Sequence, residues 1–249
     1  LIDVTKSWNC SDVTYTTVML EDFFTDIYLY LWNGNLNIVF LLVFLAIFHE
    51  LCVMDSYKKI YNHFDRYVIT RIGYKNFYKK EFSTICLKSF CYYYLLHGIM
   101  LLYCLIRYGY RTSTNIELFK YQLFSSNPLT NLILFIIISS FGLMILNYFI
   151  FSLSSFVKNI YLYRFTSIAL LFITILVSNI FSIIIQNLFE STELIKTIGQ
   201  SLMVTSLLQP GMGFMMYGFL NFSIAAIIYI ILTITAISIA IKYRMEYDG

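Results

Sequence analysis

The chain has 249 residues, 59% of them hydrophobic and only 12% charged, with a net charge of +3. A charged share about half that of ordinary soluble domains excludes a soluble enzyme or binding module, because one core of this size cannot hide so much Ile, Leu, Phe and Tyr. The net charge says little by itself, and no nucleic-acid partner is expected.

In chain order, residues 1–35 come first, polar and acidic (Asp3, Asp12, Glu21, Asp22, Asp26). They read as an extracellular or interfacial segment, with Thr17–Trp32 resting at the headgroup level that Trp and Tyr favour. Five apolar runs follow: Leu36–Met54, Thr84–Ile106, Leu129–Leu153, Phe165–Leu188 and Phe219–Ile241. Each is long enough to cross a hydrocarbon core of about 30 Å as a helix, and none alternates as a membrane strand would. The expected fold class is therefore all-α, a polytopic membrane protein forming a single domain over 1–249. Five spans are visible, and a sixth is expected upstream because Leu1 is preceded by neither a signal peptide nor an initiator Met.

Between the first two runs, Asp55–Ser83 holds seven of the 17 Lys and Arg residues. Counted on alternate sides of five spans, Lys and Arg number eleven on the side of this insert and five on the other. Positive loops face the cytoplasm, so the insert and the C-terminus read as cytoplasmic. Within the insert, Ile60, Phe64, Tyr67 and Arg71 recur at helical spacing until Gly73, where a bend is expected. Beyond it, Tyr74, Phe77, Tyr78 and Phe82 share a face, while Lys75, Lys79 and Lys80 point elsewhere. Such a surface suits either anionic headgroups or a partner's groove that takes aromatic knobs while cations steer the approach.

Further along, Tyr108–Pro128 reads as an outer loop, with Asn127 placed to cap the next helix and Pro128 suited to its first position. Ser154–Arg164 is a short connector, so the runs it joins should be antiparallel neighbours. Residues 189–218 are polar, then apolar around Gln209-Pro210-Gly211. They suggest a helix from about Thr192 to Leu208 and a second short piece, dipping together into the outer leaflet as a re-entrant pair; two short surface helices are the alternative.

Chemistry-bearing motifs are sparse. There is no G-x-x-x-x-G-K-[ST] segment, so no P-loop nucleotide site. His49-Glu50 opens a zinc-protease pattern whose second His position is Val53, so the metal reading fails; both residues are expected near water at the end of their span. The five cysteines (Cys10, Cys52, Cys86, Cys91, Cys104) contain no CxxC pair and read as small packing residues. No catalytic, metal-binding or cofactor-binding residue is assigned. Tyr93, His97, Asn147 and Asn179 lie within apolar runs and either line a substrate path or cross-link helices. Tyr92-Tyr93-Tyr94 spreads around its helix, so at least one ring must meet a neighbour. Lys88, about one turn into its run, is expected to snorkel to the headgroups.

Asp65-Arg66, Arg71-Ile72-Gly73 and Lys79 or Lys80 resemble the cytoplasmic loop of type-2 ABC exporter permeases. The similarity is greatest to the small Gram-positive permeases for antimicrobial-peptide export or immunity. Gly73 stands where that family commonly has Pro, and Tyr67 where it commonly has Gly. The resemblance implies a coupling helix seated on a separate ATPase subunit, with Arg66, Arg71, Tyr74, Lys75, Phe77 and Tyr78 at the contact. It also implies a second permease copy or homologue, membrane lipid around the bundle, and an amphipathic peptide cargo such as a toxin or bacteriocin. ATP and Mg would sit on the partner, in a bacterial plasma membrane. A peptide-binding immunity or sensor protein without transport is the alternative, and an intramembrane enzyme a more distant one.

Overall fold

The computed structural model describes residues 37–109, 127–188, 198–199, 201–210 and 218–247. Residues 1–35, most of the outer loop and parts of 189–218 lie outside the described residues, as do the readings made on them. Eight α-helices are described, and among the described residues there is no strand: α1 Asn37–Cys52, α2 Met54–Tyr61, α3 Phe64–Tyr108, α4 Pro128–Ser152, α5 Ile160–Arg164, α6 Thr166–Leu188, α7 Thr205–Leu208 and α8 Gly218–Tyr247.

The first two helices are separated at Val53, and α2 ends in a tight turn where His63 adopts a left-handed conformation, φ 57°. His is among the few non-glycine residues that tolerate this region. In α3 the bend expected at Gly73 is present: φ 77° and ψ 159° there interrupt the helix. A side chain would be strained in that backbone conformation, which glycine adopts freely. From Tyr74 to Tyr108 the helix then runs about 50 Å at 1.5 Å per residue, far longer than a hydrocarbon core of about 30 Å.

The start of α4 is fixed as its sequence suggests. Asn127 Oδ1 accepts from the backbone N–H of Leu129 at 3.0 Å and of Thr130 at 3.3 Å, and Pro128 opens the helix. Three helices among the described residues are long and apolar enough to cross a membrane: Asp65–Arg107, Leu129–Ser155 and Leu220–Lys242. Within their most apolar windows, 56% of the α4 residues are buried against 22% in α3 and 28% in α8, so α4 is the central element. It packs on α3, α7 and α8, while α1 packs on α2, α3 and α6.

This corrects the five-span reading and the count of six built on it. The first and fourth runs form α1 and α6, whose described apolar stretches are Leu41–Cys52 and Thr166–Phe181. The first of these rises only about 18 Å. The first run is also broken at Val53, before its end at Met54. A span count by composition alone treats every apolar run as lipid-crossing, whereas composition does not say how long an unbroken apolar helix the run forms.

The re-entrant pair is corrected too, for no such element is seen among the described residues. In place of a helix ending at Leu208, residues 201–210 hold turns and the four-residue α7. Side chains from neighbouring helices hold the backbone out of a regular helix. Ser178 Oγ donates to the Gly199 carbonyl at 2.7 Å, Tyr229 Oη to the Leu202 carbonyl at 3.0 Å, and Thr174 Oγ1 accepts from the Val204 N–H at 3.4 Å. Ser201 also hydrogen-bonds Asn221.

Gly142 is what lets this segment approach α4. A Cβ at that position would overlap the Leu207 carbonyl oxygen and lie 2.6 Å from its carbonyl carbon. Gly142→Ala is therefore expected to push α7 off α4 and destabilise the protein by about 1–3 kcal/mol. Gly98→Ala, where nothing lies within 4 Å of an added Cβ, should leave stability unchanged or raise it by up to about 1 kcal/mol. Thermal unfolding of both variants in one detergent checks the contrast.

Candidate functional site

The cationic insert forms an elbow: α2, the turn at Asn62-His63, the first piece of α3, the Gly73 bend and the foot of the long helix. Its first piece lies on the bundle through Asp65 and Ile69, both buried, and turns Arg66, Tyr67, Thr70 and Arg71 outward. Past Gly73, Lys75, Lys79 and Lys80 are also exposed, and Tyr74 is half-buried.

The six residues expected at a partner contact thus divide. Arg66, Arg71 and Lys75 are exposed, and Tyr74 is half-buried. Phe77 and Tyr78 are 1% and 5% exposed and belong to this chain's own core. The Tyr78 ring meets Phe151 at 5.9 Å, and its hydroxyl lies 3.5 Å from Ser155 Oγ in the turn just past α4. Phe82 packs edge-on against Tyr148 at 4.6 Å. An aromatic face inferred from helical spacing has to meet something, and here it meets α4.

Charges lock α2 to α3. Glu81, buried on α3, accepts from Lys59 Nζ at 2.7 and 2.9 Å and from Ser56 Oγ at 2.6 Å. Two turns on, Lys88 Nζ donates to Asp55 Oδ2 at 2.6 Å, so Lys88 forms an ion pair with α2 in place of the expected reach toward headgroups. This hydrogen bond, reinforced by the positive charges of Lys88, Lys58 and Lys59, holds the exposed Asp55 carboxyl below its ordinary range. Sequence reasoning passed over this clamp. Its signal was the opposite order of charge, Asp55 then Lys59 on one helix and Glu81 then Lys88 on the next, as antiparallel neighbours require.

A second lock joins the elbow to α5. Tyr163 stacks on Tyr57 at 3.8 Å, meets His49 edge-on at 5.1 Å and donates its hydroxyl to the Ile150 carbonyl at 3.0 Å. Burial, and then Tyr57, push its phenol well above the ordinary value, so it stays a neutral donor. His49, expected near water, is buried with Nδ1 3.2 Å from Ser167 Oγ. Its neighbour Glu50 is exposed and pairs with Arg164 at 3.4 Å.

The four intramembrane candidates do not converge. Tyr93 and His97 are together, ring centroids 4.0 Å apart, with Tyr93 also against Phe44 and Phe48. Of the tyrosine triplet, Tyr93 is buried, Tyr92 half-buried and Tyr94 exposed. His97 lies at an open cleft of about 420 Å³, walled mainly by Tyr94, Leu101, Ile133, Ile136 and Ile137 of α3 and α4. Asn147 instead donates to Ser89 Oγ at 2.8 Å, cross-linking α4 to α3. Asn179 is exposed on α6. Among the described residues no three His, Cys, Asp or Glu side chains are grouped to hold a metal, and Cys52, Cys86, Cys91 and Cys104 are free thiols.

No protein-family model, curated protein or solved structure matches this chain. Its long apolar helices make it a multi-span α-helical membrane protein.

Glu81→Ala removes the buried acceptor of the clamp and is expected to destabilise the protein by about 1.5–3 kcal/mol; faster hydrogen exchange in α2 than in α4 would locate the loss. A depressed carboxyl pKa gives stability that is present above the unfolded value of about 3.9 and is lost as pH falls through the folded one. Asp55→Asn should therefore remove that acid-side decline from the pH profile of unfolding, with wild type and variant converging at low pH.

Proposed function

We propose that this chain is the membrane subunit of an ATP-driven exporter of the type-2 ABC class, in which the elbow receives the motion of a separate ATPase subunit. One observation carries the reading: Arg66 and Arg71 before the Gly73 bend and Lys75 after it are exposed, and the stretch after the bend is fastened to the bundle through Phe77, Tyr78 and Glu81. A surface loosely tethered to the spans would dissipate a push. This one continues without a break from Tyr74 into a membrane-crossing helix and is tied to α2 and α4. Movement of the elbow would then tilt α3 against α4 and open or close the cleft beside His97, a rigid-body switch.

The remaining features come with the same reading. A bacterial plasma membrane, a cytoplasmic elbow and C-terminus, a second permease copy or homologue, and an amphipathic peptide cargo all follow from the resemblance of the loop. In this reading His97, at the cleft, would meet cargo, with Tyr93 packed against its ring. Asn147 is engaged with Ser89 and serves packing.

Co-purification of the full chain with candidate ABC ATPase subunits tests the proposal. Wild type should retain the ATPase in stoichiometric amount. Arg66→Glu/Arg71→Glu/Lys75→Glu should weaken retention by about 1,000-fold, as loss of two hot-spot contacts of about 2 kcal/mol each would, with thermal unfolding unchanged. An ATPase that binds the triple variant equally well, or none that binds wild type, rejects the assignment.

A further inference from the structure

The connector between α4 and α6 turns its apolar side chains outward. Tyr161, Leu162 and Phe165 are 70%, 65% and 62% exposed, and Phe156 is exposed as well. The connector is nonetheless built to hold its shape. Asn159 Oδ1 caps α5 through the N–H groups of Tyr161 and Leu162, and Tyr163 points inward into the lock with Tyr57 and His49. The outward side chains are thus presented on a fixed backbone, directly after a membrane-crossing helix.

Elements that carry cations flank this apolar spot. Tyr57 Oη donates to the Val157 carbonyl at 3.0 Å and Tyr78 Oη lies 3.5 Å from Ser155 Oγ, so α2 and the foot of α3 stand beside the connector. These elements carry Lys58, Lys79 and Lys80, and the connector itself carries Lys158. The acidic residues here are already engaged: Glu50 with Arg164, Asp55 with Lys88, and Glu81 with Lys59. None of those four lysines forms an ion pair among the described residues, although Lys58 adds its charge near Asp55.

We propose that this end of the bundle is a docking surface for the phosphate layer of an anionic phospholipid leaflet. Lys58, Lys79, Lys80 and Lys158 would contact phosphates, while Phe156, Tyr161, Leu162 and Phe165 enter the boundary with the acyl chains. Continuity favours lipid over an acidic protein groove. Leu162 and Phe165 begin an exposed apolar stripe that continues at helical spacing along α6 through Phe172 and Leu176. A soluble partner would have to cover that stripe as well, whereas a bilayer covers both at once. This inference stands apart from the exporter reading, which uses Arg66, Arg71 and Lys75.

The test is native mass spectrometry of the full chain released from nanodiscs of mixed phosphatidylglycerol and phosphatidylcholine. Wild type should retain phosphatidylglycerol preferentially, and the preference should fall as salt is raised. Each cation near an anionic surface contributes about fivefold in binding. Lys58→Gln/Lys79→Gln/Lys80→Gln/Lys158→Gln should therefore lower phosphatidylglycerol retention at least about tenfold, and the corresponding four Lys→Arg changes should preserve it. Equal retention of the two lipids by wild type, or a preference insensitive to salt, overturns the proposal without reference to any variant. So does unchanged retention by the Gln variant. A soluble acidic protein that copurifies with wild type and displaces phosphatidylglycerol would assign the surface to a protein and also overturn it.

Discussion

Close approach to α4 is the constraint on which the remaining helices depend. Between helices in lipid the hydrophobic effect gives little net attraction, because acyl chains are as apolar as leucine, so association rests on tight packing and buried hydrogen bonds. The middle of α4 supplies both. Ser139, Ser140 and Gly142 are small and buried; Gly142 admits the Leu207 backbone, and Ser140 Oγ lies 3.0 Å from Tyr94 Oη of α3. Nearly one helical turn beyond Met144, Asn147 ties the same helix to Ser89. With α4 so engaged on several faces, α3 and α8 keep broad exposed apolar surfaces for the hydrocarbon.

At the elbow end the means of cohesion changes from small residues to aromatic stacking and ion pairs. Tyr57, Tyr163, His49, Tyr78 and Phe151 fill the junction of five helices, and Glu81 and Lys88 set the register of α3 against α2. This is the region where water and lipid meet, and long amphipathic side chains can satisfy both a buried ring and a polar tip there. The same end therefore offers rigidity and charge together. That combination supports a role in passing force or in seating on a charged surface.

Much of this was legible in the residues, for reasons that differ from element to element. Gly73 marked the bend because no residue type but glycine adopts that backbone region freely, and Asn127-Pro128 marked a helix start through local hydrogen bonding and fixed φ. Helical spacing grouped Tyr74, Phe77, Tyr78 and Phe82 on one face. Spacing is silent on whether such a face looks into the chain or away from it, and Phe77 and Tyr78 look inward. Likewise the runs around Phe44 and Leu171 were visibly apolar, yet apolarity does not report where the helix in a run begins, breaks and ends, as at Val53. Lys88 was misplaced for a related reason: its partner Asp55 lies thirty-three positions away, and only the folded hairpin brings them to 2.6 Å.

One consequence follows from α3 running unbroken from Tyr74 to Tyr108. A continuous helix transmits rotation about its own axis, so the compass direction of the cationic surface is fixed by the residue count between Gly73 and the apolar part of the helix. Removing one residue near Ser83 would swing Lys75 and the bend by about 100° relative to Tyr93 and His97, whereas removing seven would return them to within about 20° and merely draw them about 10 Å closer to the bilayer. The length of this stretch can vary among functioning sequences only in steps that preserve helical phase.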